Sequence, residues 1–392
     1  MRSERVVGRG ESNEALVAII REEIERAGRI TFARYMDLAL YHPEHGYYLG
    51  PEERAGHAGD FATAPETSPL FGRCLARQLR EVWDLLGQPS PFTVIEYGAG
   101  GGRLARDVLA GAREESPEFT ASLGYVLHEA NAHRRASAAR ALEEVGVGGQ
   151  VTTEAPGEEP AAPVVGAVLS NEFVDALPVH RVLLRDGALL ERYVRCDGAW
   201  FAEELDRPST PRLGAALAEG GVALAEGQGA EVNLAAAEWL ARAARRLARG
   251  IILTIDYGYP TAELYDRKRR EGTFMCYYRH TLNDDPYARV GRQDMTAHVD
   301  FGALERAGAR AGLATLGLTT QGEFLTALGL GELLVAERAP GSASRDYAGY
   351  LAGRAAVLAL IDPRGMGGFR VLAQGRGLAP PVALTGFVTR EM

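Results

Sequence analysis

The sequence predicts an α/β protein built on a doubly wound, mostly parallel sheet. Two observations predict it. Phe92-Thr-Val-Ile-Glu-Tyr97 is a short β-branched run that opens onto alternating glycines, Gly98, Gly100 and Gly102, and an amphipathic segment follows at once. Further apolar runs at 125–129, 164–170 and 251–256 alternate with helical periodicities at 102–114, 131–145 and 234–249. Strands that alternate with helices build a parallel sheet. Where a strand turns into a helix over glycines, no Cβ keeps a ligand from the backbone. The ligand is therefore expected at the carboxyl edge of the strands.

The elements follow in chain order. Residues 14–27 form an amphipathic helix with Leu16, Ile19, Ile20 and Ile24 on one face. A second helical stretch over 32–40 runs into the aromatic loop Tyr41–Tyr48, and a long helix over 69–86 precedes the first core strand. The core is interrupted between 179 and 230. There Val179–Leu184 and Leu189–Arg195 flank Asp186-Gly187, the signature of a tight hairpin, and Trp200–Leu205 adds a strand. Inserted structure at the ligand edge usually shapes a substrate region. The Pro/Glu-rich piece Glu154–Pro163 reads as an exposed loop, and 344–360 as a late helix before a glycine-rich stretch ending in Phe369–Ala373. This divides the chain into a helical N-terminal extension and lid (1–90), a first core half (91–178), an inserted hairpin region (179–232), a second core half (233–335) and a C-terminal segment (336–392). The last segment receives no role.

Bulk properties narrow the function classes. With 392 residues, 46% hydrophobic and 24% charged, the chain is ordinary for a soluble globular protein. A net charge of -9 argues against general nucleic-acid binding, which needs a basic face. Cys74, Cys196 and Cys276 lie far apart without zinc-ligand spacing, so neither a metal site nor a disulfide framework is expected. The first ten residues lack an apolar signal core and no membrane-length apolar run occurs, which makes the cytoplasm the expected compartment and membrane insertion unexpected. The oligomeric state is not legible.

The glycine spacing narrows the ligand. A dinucleotide fingerprint wants glycine at the sixth position, where this chain has Arg103. Acidic-x-Gly-x-Gly-x-Gly over Glu96–Gly102 instead resembles motif I of class I S-adenosylmethionine methyltransferases. An anionic Glu96 suits a ligand that carries an ammonium and a sulfonium and would repel a pyrophosphate. Glu129, at the end of the second strand, is a bidentate acceptor that matches the cis-diol of an adenosine ribose, or else a helix-start acid beside the Asn131 cap. Asn171-Glu-Phe-Val-Asp175 places an amide and two carboxylates at a strand's carboxyl end, where burial without partners is costly. On a helical turn Glu172 and Asp175 would point to one side and hold a guanidinium or ammonium; the alternative is a capped turn with solvated acids. Asp256-Tyr257 ends the next strand, in a pocket or in a structural turn. His298 and Asp300 offer a base or merely a helix cap at Phe301.

Four stretches together resemble one family: Gly59-Asp-Phe…Thr63-Ala-Pro-Glu66…Phe71-Gly72, Glu96–Gly102, Asn171–Pro178 and Asp256-Tyr-Gly258. Gly272-Thr273, His280, Asp284-Asp285-Pro286, Asp294–Phe301 and Glu231-Val-Asn233 extend the match over roughly residues 14–335. The chain is similar to the mitochondrial complex I assembly methyltransferases, the MidA family, and their bacterial relatives. The resemblance implies a class I methyltransferase (Rossmann-like) sheet with a helical N-terminal extension and an inserted β-rich substrate region. It implies S-adenosyl-L-methionine as cofactor, held by Glu96, Gly98, Gly100, Gly102 and Glu129, with Asp60 and Thr63 from the lid. Asn171 and Glu172 would face the transfer site, Asn171 also touching the cofactor. The expected reaction is N-methylation of a protein arginine, in a protein partner such as a respiratory complex subunit. A small-molecule acceptor and a non-catalytic assembly factor are the alternatives. Glu172 is the first choice for orienting the nucleophile and Asp175 the second.

Overall fold

The computed structural model describes residues 11–50, 63–158, 162–198, 200–336, 347–378 and 382–388. The chain divides into two compact units. One holds Met1–Phe61, Val174–Trp239 and Gly258–Leu304, and the other Ala62–Phe173, Leu240–Tyr257 and Glu305–Met392.

The second unit carries a seven-stranded sheet. Its strands are β1 (Phe92–Tyr97), β2 (Leu123–His128), β3 (Val151–Glu154), β4 (Val164–Asn171), β5 (Leu247–Asp256), β6 (Ala314–Thr320) and β7 (Arg370–Arg376). The spatial order is β6-β7-β5-β4-β1-β2-β3. The first five strands run parallel, and β7 is antiparallel to both β5 and β6. The order reverses between β1 and β4, the crevice where ligands of doubly wound sheets bind. Val94, Leu127, Ala167, Leu253 and Val371 are fully buried, as expected of strands covered on both faces. Helices α1 (Pro69–Leu85), α2 (Arg103–Glu115) and α3 (Ala132–Glu144) bury Leu75, Leu79, Val108, Leu109 and Ala138 in the same core.

Two glycines let the central strands lie close. Gly250 of β5 has φ 133°, and a Cβ there would sit 1.7 Å from the Gly166 carbonyl oxygen on β4. One on Gly166 would meet the Thr93 carbonyl oxygen of β1 at 2.0 Å. Residues 370–373 belong to β7, which inserts between β5 and β6.

The other unit contains an antiparallel sheet in which Ala188–Asp197 pairs with His180–Arg185, Ile30–Thr31 and Trp200–Asp206, and Gly229–Val232 pairs with His180–Arg185. Asp186 (φ 52°) and Gly187 (φ 69°) both adopt the left-handed conformation that a two-residue hairpin turn requires. The helices Glu14–Ala27 and Phe32–Tyr41 bury Leu16, Ile20, Ile24, Phe32, Tyr35 and Met36 in the core of this unit. The expected β-rich insertion and helical extension are therefore both present.

Candidate active site

Five strand ends define the carboxyl edge of the parallel sheet, and four carry an acid within one residue of the end: Glu96, Glu129, Glu154 and Asp256. The fifth, β4, ends in Asn171 and is followed by Glu172.

The turn after β1 is built by its glycines. Gly98, Gly100 and Gly102 have φ of 69°, 53° and 72°, a region costly for residues with a Cβ. They do different work. A Cβ on Gly98 would meet the Phe173 ring at 2.8 Å, and one on Gly102 would meet Ala138 at 3.0 Å. Gly102 thus lets the start of α2 lie against Ala138 and Leu142 of α3. Around Gly100 the nearest atom is the Gly98 carbonyl oxygen at 3.9 Å, so a side chain there would enter open space over the turn.

Glu129 is fixed beside this turn. One carboxylate oxygen accepts the Gly100 N–H at 2.9 Å, and the other accepts the Asn131 N–H at 2.8 Å. Each oxygen keeps a second lone-pair direction that a hydroxyl could fill. Asn131 in turn caps α3 by accepting from the N–H groups of His133 and Arg134. The ribose reading and the helix-start reading of Glu129 are compatible.

Glu96 corrects an expectation. It is buried, accepts a 2.7 Å hydrogen bond from the Tyr125 hydroxyl, and burial raises its carboxyl to about 8. The Tyr125 bond opposes this shift, while the charge of Glu129 adds to it. Glu96 is therefore not the standing anion that its position in the motif suggests. Burial favours its protonated form.

At the end of β4, Glu172 holds a left-handed φ of 47°, rare for a residue with a side chain. Its N–H donates to the Ile255 carbonyl at 2.9 Å, which ties it to β5. Its Oε1 accepts from the Ala64 N–H and from the Asn171 side-chain amide, each at 3.2 Å. Ala64 opens the short helix Ala64–Thr67, for which Thr63 is the capping residue. Thr63 thus lies within one residue of a contact to Glu172; Asp60 lies outside the described residues. The Asn171 Oδ1 atom is buried without a hydrogen-bond partner among the described residues. Asp256, fully buried, accepts the N–H groups of Phe173 and Tyr257 at 3.2 and 2.9 Å and shapes both turns.

The helical turn expected to align Glu172 with Asp175 does not form. Glu172 breaks it with its left-handed backbone, and the chain passes from one unit to the other between Phe173 and Val174. Asp175 is buried in the inserted unit, where its carbonyl accepts the Ala297 N–H. His298 lies in that unit too. Burial first, and the charge of Arg269 second, push it down to about 4, so it is neutral at neutral pH. Asp300 accepts from the Thr261 hydroxyl and from the Ala303 N–H, the cap of the helix Phe301–Arg310.

One group escaped the sequence reading. Glu154, assigned there to an exposed loop, is buried and paired with Arg246 at 2.6 and 3.1 Å and with His128 Nδ1 at 3.0 Å. Val151-Thr-Thr-Glu154 carried the signal, a β-branched run closed by an acid like its neighbours. Among the described residues no group of three or more His, Cys, Asp or Glu is arranged to hold a metal, and no helix is long and apolar enough to cross a membrane.

The glycine turn, the cis-diol acceptor and the orphaned Asn171 oxygen fit an adenosyl ligand with a cationic head. The family described as S-adenosyl-L-methionine-dependent methyltransferases matches residues 74–319. The chain belongs to this family. The methyltransferase is 32% identical over 335 residues to the Drosophila melanogaster mitochondrial protein arginine methyltransferase NDUFAF7 homolog, covering 79% of this chain and 74% of that one. It is 28% identical over 337 residues to the Homo sapiens NDUFAF7, with 79% and 72% covered. A COG1565 superfamily member from Burkholderia thailandensis, crystallised with S-adenosyl-homocysteine, superposes with a TM-score of 0.87 at 34% identity, covering 99% of this chain and 97% of that one. The methyltransferase therefore uses S-adenosyl-L-methionine on a class I fold, and the resemblance to the MidA family holds.

Proposed function

We propose that the methyltransferase methylates a protein arginine, with Glu172 orienting the acceptor nitrogen. The observation that carries this reading is Glu172 itself. A strained backbone, a helix-start N–H and a neighbouring amide hold its carboxylate at the end of β4, and such strain concentrates at functional positions. The names of the Drosophila and human relatives support an arginine acceptor in a protein.

When bound, S-adenosyl-L-methionine supplies an electrophilic methyl carbon on a sulfonium. Gly98, Gly100 and Gly102 would admit it to the backbone, Glu129 would take the ribose hydroxyls, and Asn171 Oδ1 would accept from its ammonium. Glu96, once ionised, would balance its positive charge. The Glu172 carboxylate then localises the charge of a guanidinium on the nitrogens facing it and turns another nitrogen toward the methyl. That nitrogen would gain the methyl carbon as the carbon–sulfur bond breaks, leaving a neutral thioether, and would shed a proton, for which Glu172 is the base within the constellation.

Glu172→Gln keeps shape and most hydrogen bonding but loses charge. Its Kd for S-adenosyl-L-methionine is expected to stay within twofold of the wild type, while labelled-methyl transfer into whole-cell lysate falls by roughly 10²–10⁴-fold. Full transfer in the variant would remove Glu172 from the reaction. Label that partitions into organic extract rather than protein bands would favour a small-molecule acceptor, and partner capture without transfer in the wild type would favour an assembly factor.

A further inference from the structure

The C-terminal segment brings an aromatic side chain to the same edge. In the sheet register Asn171 lies opposite Ile255, and Asp256 opposite Arg370. The residues just outside these paired ends, on three neighbouring strands, are Glu172, Tyr257 and Phe369. The rings of Tyr257 and Phe369 have centroids 5.4 Å apart and planes tilted by 50°, and both residues are half-buried.

Phe369 is held rigidly. Its carbonyl accepts the Gln321 N–H at 2.7 Å. Two positions of the preceding turn have no room for side chains, since a Cβ on Gly367 would lie 2.2 Å from the Ile361 carbonyl carbon and one on Gly368 would lie 2.5 Å from the Pro363 carbonyl oxygen. Met366 in the same turn accepts from the Thr67 hydroxyl through sulfur at 3.6 Å, which ties it to the short helix that holds Glu172. On the other side Asp256 fixes the Tyr257 backbone.

We infer that Tyr257 and Phe369 form an aromatic platform that selects a planar guanidinium over an ammonium at the acceptor subsite beside Glu172. The proposal rests on the arginine reading and explains how it is enforced. A guanidinium lies flat on an aromatic face and still presents N–H groups in its plane to a carboxylate, whereas a lysine ammonium is a strongly hydrated point charge that gains less from a ring. A carboxylate alone would take either. Platform and carboxylate together favour arginine.

Agmatine and 1,5-diaminopentane test this, because they present a guanidinium and an ammonium on comparable chains. Each is titrated into the full chain with S-adenosyl-L-homocysteine present, and binding is read by ligand-observed NMR. Agmatine is expected to bind about 3- to 30-fold more tightly, the span that cation–π contacts cover from exposed to desolvated sites. Tyr257→Leu and Phe369→Leu should each erase most of that preference. Tyr257→Phe and Phe369→Tyr should retain it, and the Kd for S-adenosyl-L-methionine should stay within twofold in all four. The wild-type comparison decides the matter even if a leucine variant does not fold: equal binding of the two amines overturns the platform. A preference that survives both leucine substitutions also overturns it. The arginine reading fails separately, if the amine preference is found but no arginine is methylated in lysate.

Discussion

Among single residues, Glu96 carries the most testable electrostatics. Its carboxyl is raised to about 8 in the folded chain, above the ordinary carboxylate value. The folded state therefore holds a proton that the unfolded state releases from about pH 4.5 upward. Its contribution to stability is most favourable below that pH and declines until the folded group ionises near 8. Binding has the opposite sign. A cationic ligand favours the carboxylate, so S-adenosyl-L-methionine should expel a proton from Glu96 and bind more tightly as pH rises from 6 to 8. Calorimetry in two buffers of different ionisation enthalpy counts that proton, and Glu96→Gln should release fewer protons on binding than the wild type. Equal counts would mean that Glu96 does not respond to the ligand. Tyr125, whose hydroxyl holds the protonated carboxyl, gave no hint of this in the sequence. Its role depends on the register that sets β2 beside β1.

At the scale of elements, the glycine turn and the strand ends were the most legible parts. Gly100→Val should abolish S-adenosyl-L-methionine binding and leave a folded chain, because the side chain would enter open space and meet no core atoms. Its left-handed φ adds a strain of about 1–2 kcal/mol, which should lower the thermal midpoint by roughly a few degrees. Normal affinity in a folded variant would relocate the cofactor. The turn was legible because its physics is local: glycine spacing, a preceding β-branched run, a following helix. The pairing of Glu172 with Asp175 was misjudged because a left-handed residue with a side chain carries no signature in composition. Glu154 was misjudged because its partner Arg246 is far along the chain. Phe369 received no role for a similar reason, since only the antiparallel return of β7 sets it beside Tyr257.

For the whole molecule, the buried charges tie distant segments of the sheet unit together. Burial alone would raise the Glu154 carboxyl, but Arg246 and His128 outweigh it and hold it below the usual carboxylate range. Glu154→Ala would leave the Arg246 guanidinium, whose side chain is 9% exposed, without its carboxylate. Removing one partner of a buried pair costs about 3–5 kcal/mol. Urea unfolding followed by circular dichroism should show a loss of that size, and a change below about 1 kcal/mol, the range of exposed pairs, would mean that water reaches the arginine. The inserted unit has its own core around Leu16, Ile20, Phe32 and Tyr35 and need not share this loss.

The placement of β7 has a consequence for biosynthesis. It is the last strand of the sheet in the sequence, yet it lies between β5 and β6. A ribosome must release residues up to about 376 before those two strands acquire their common neighbour. Until then both present open edges, which other chains can join. Because Phe369 arrives with that strand, a translation product arrested earlier would lack one aromatic wall of the proposed acceptor site and expose sticky edges. Premature termination would thus yield chains that quality-control proteases can recognise, with an incomplete acceptor site.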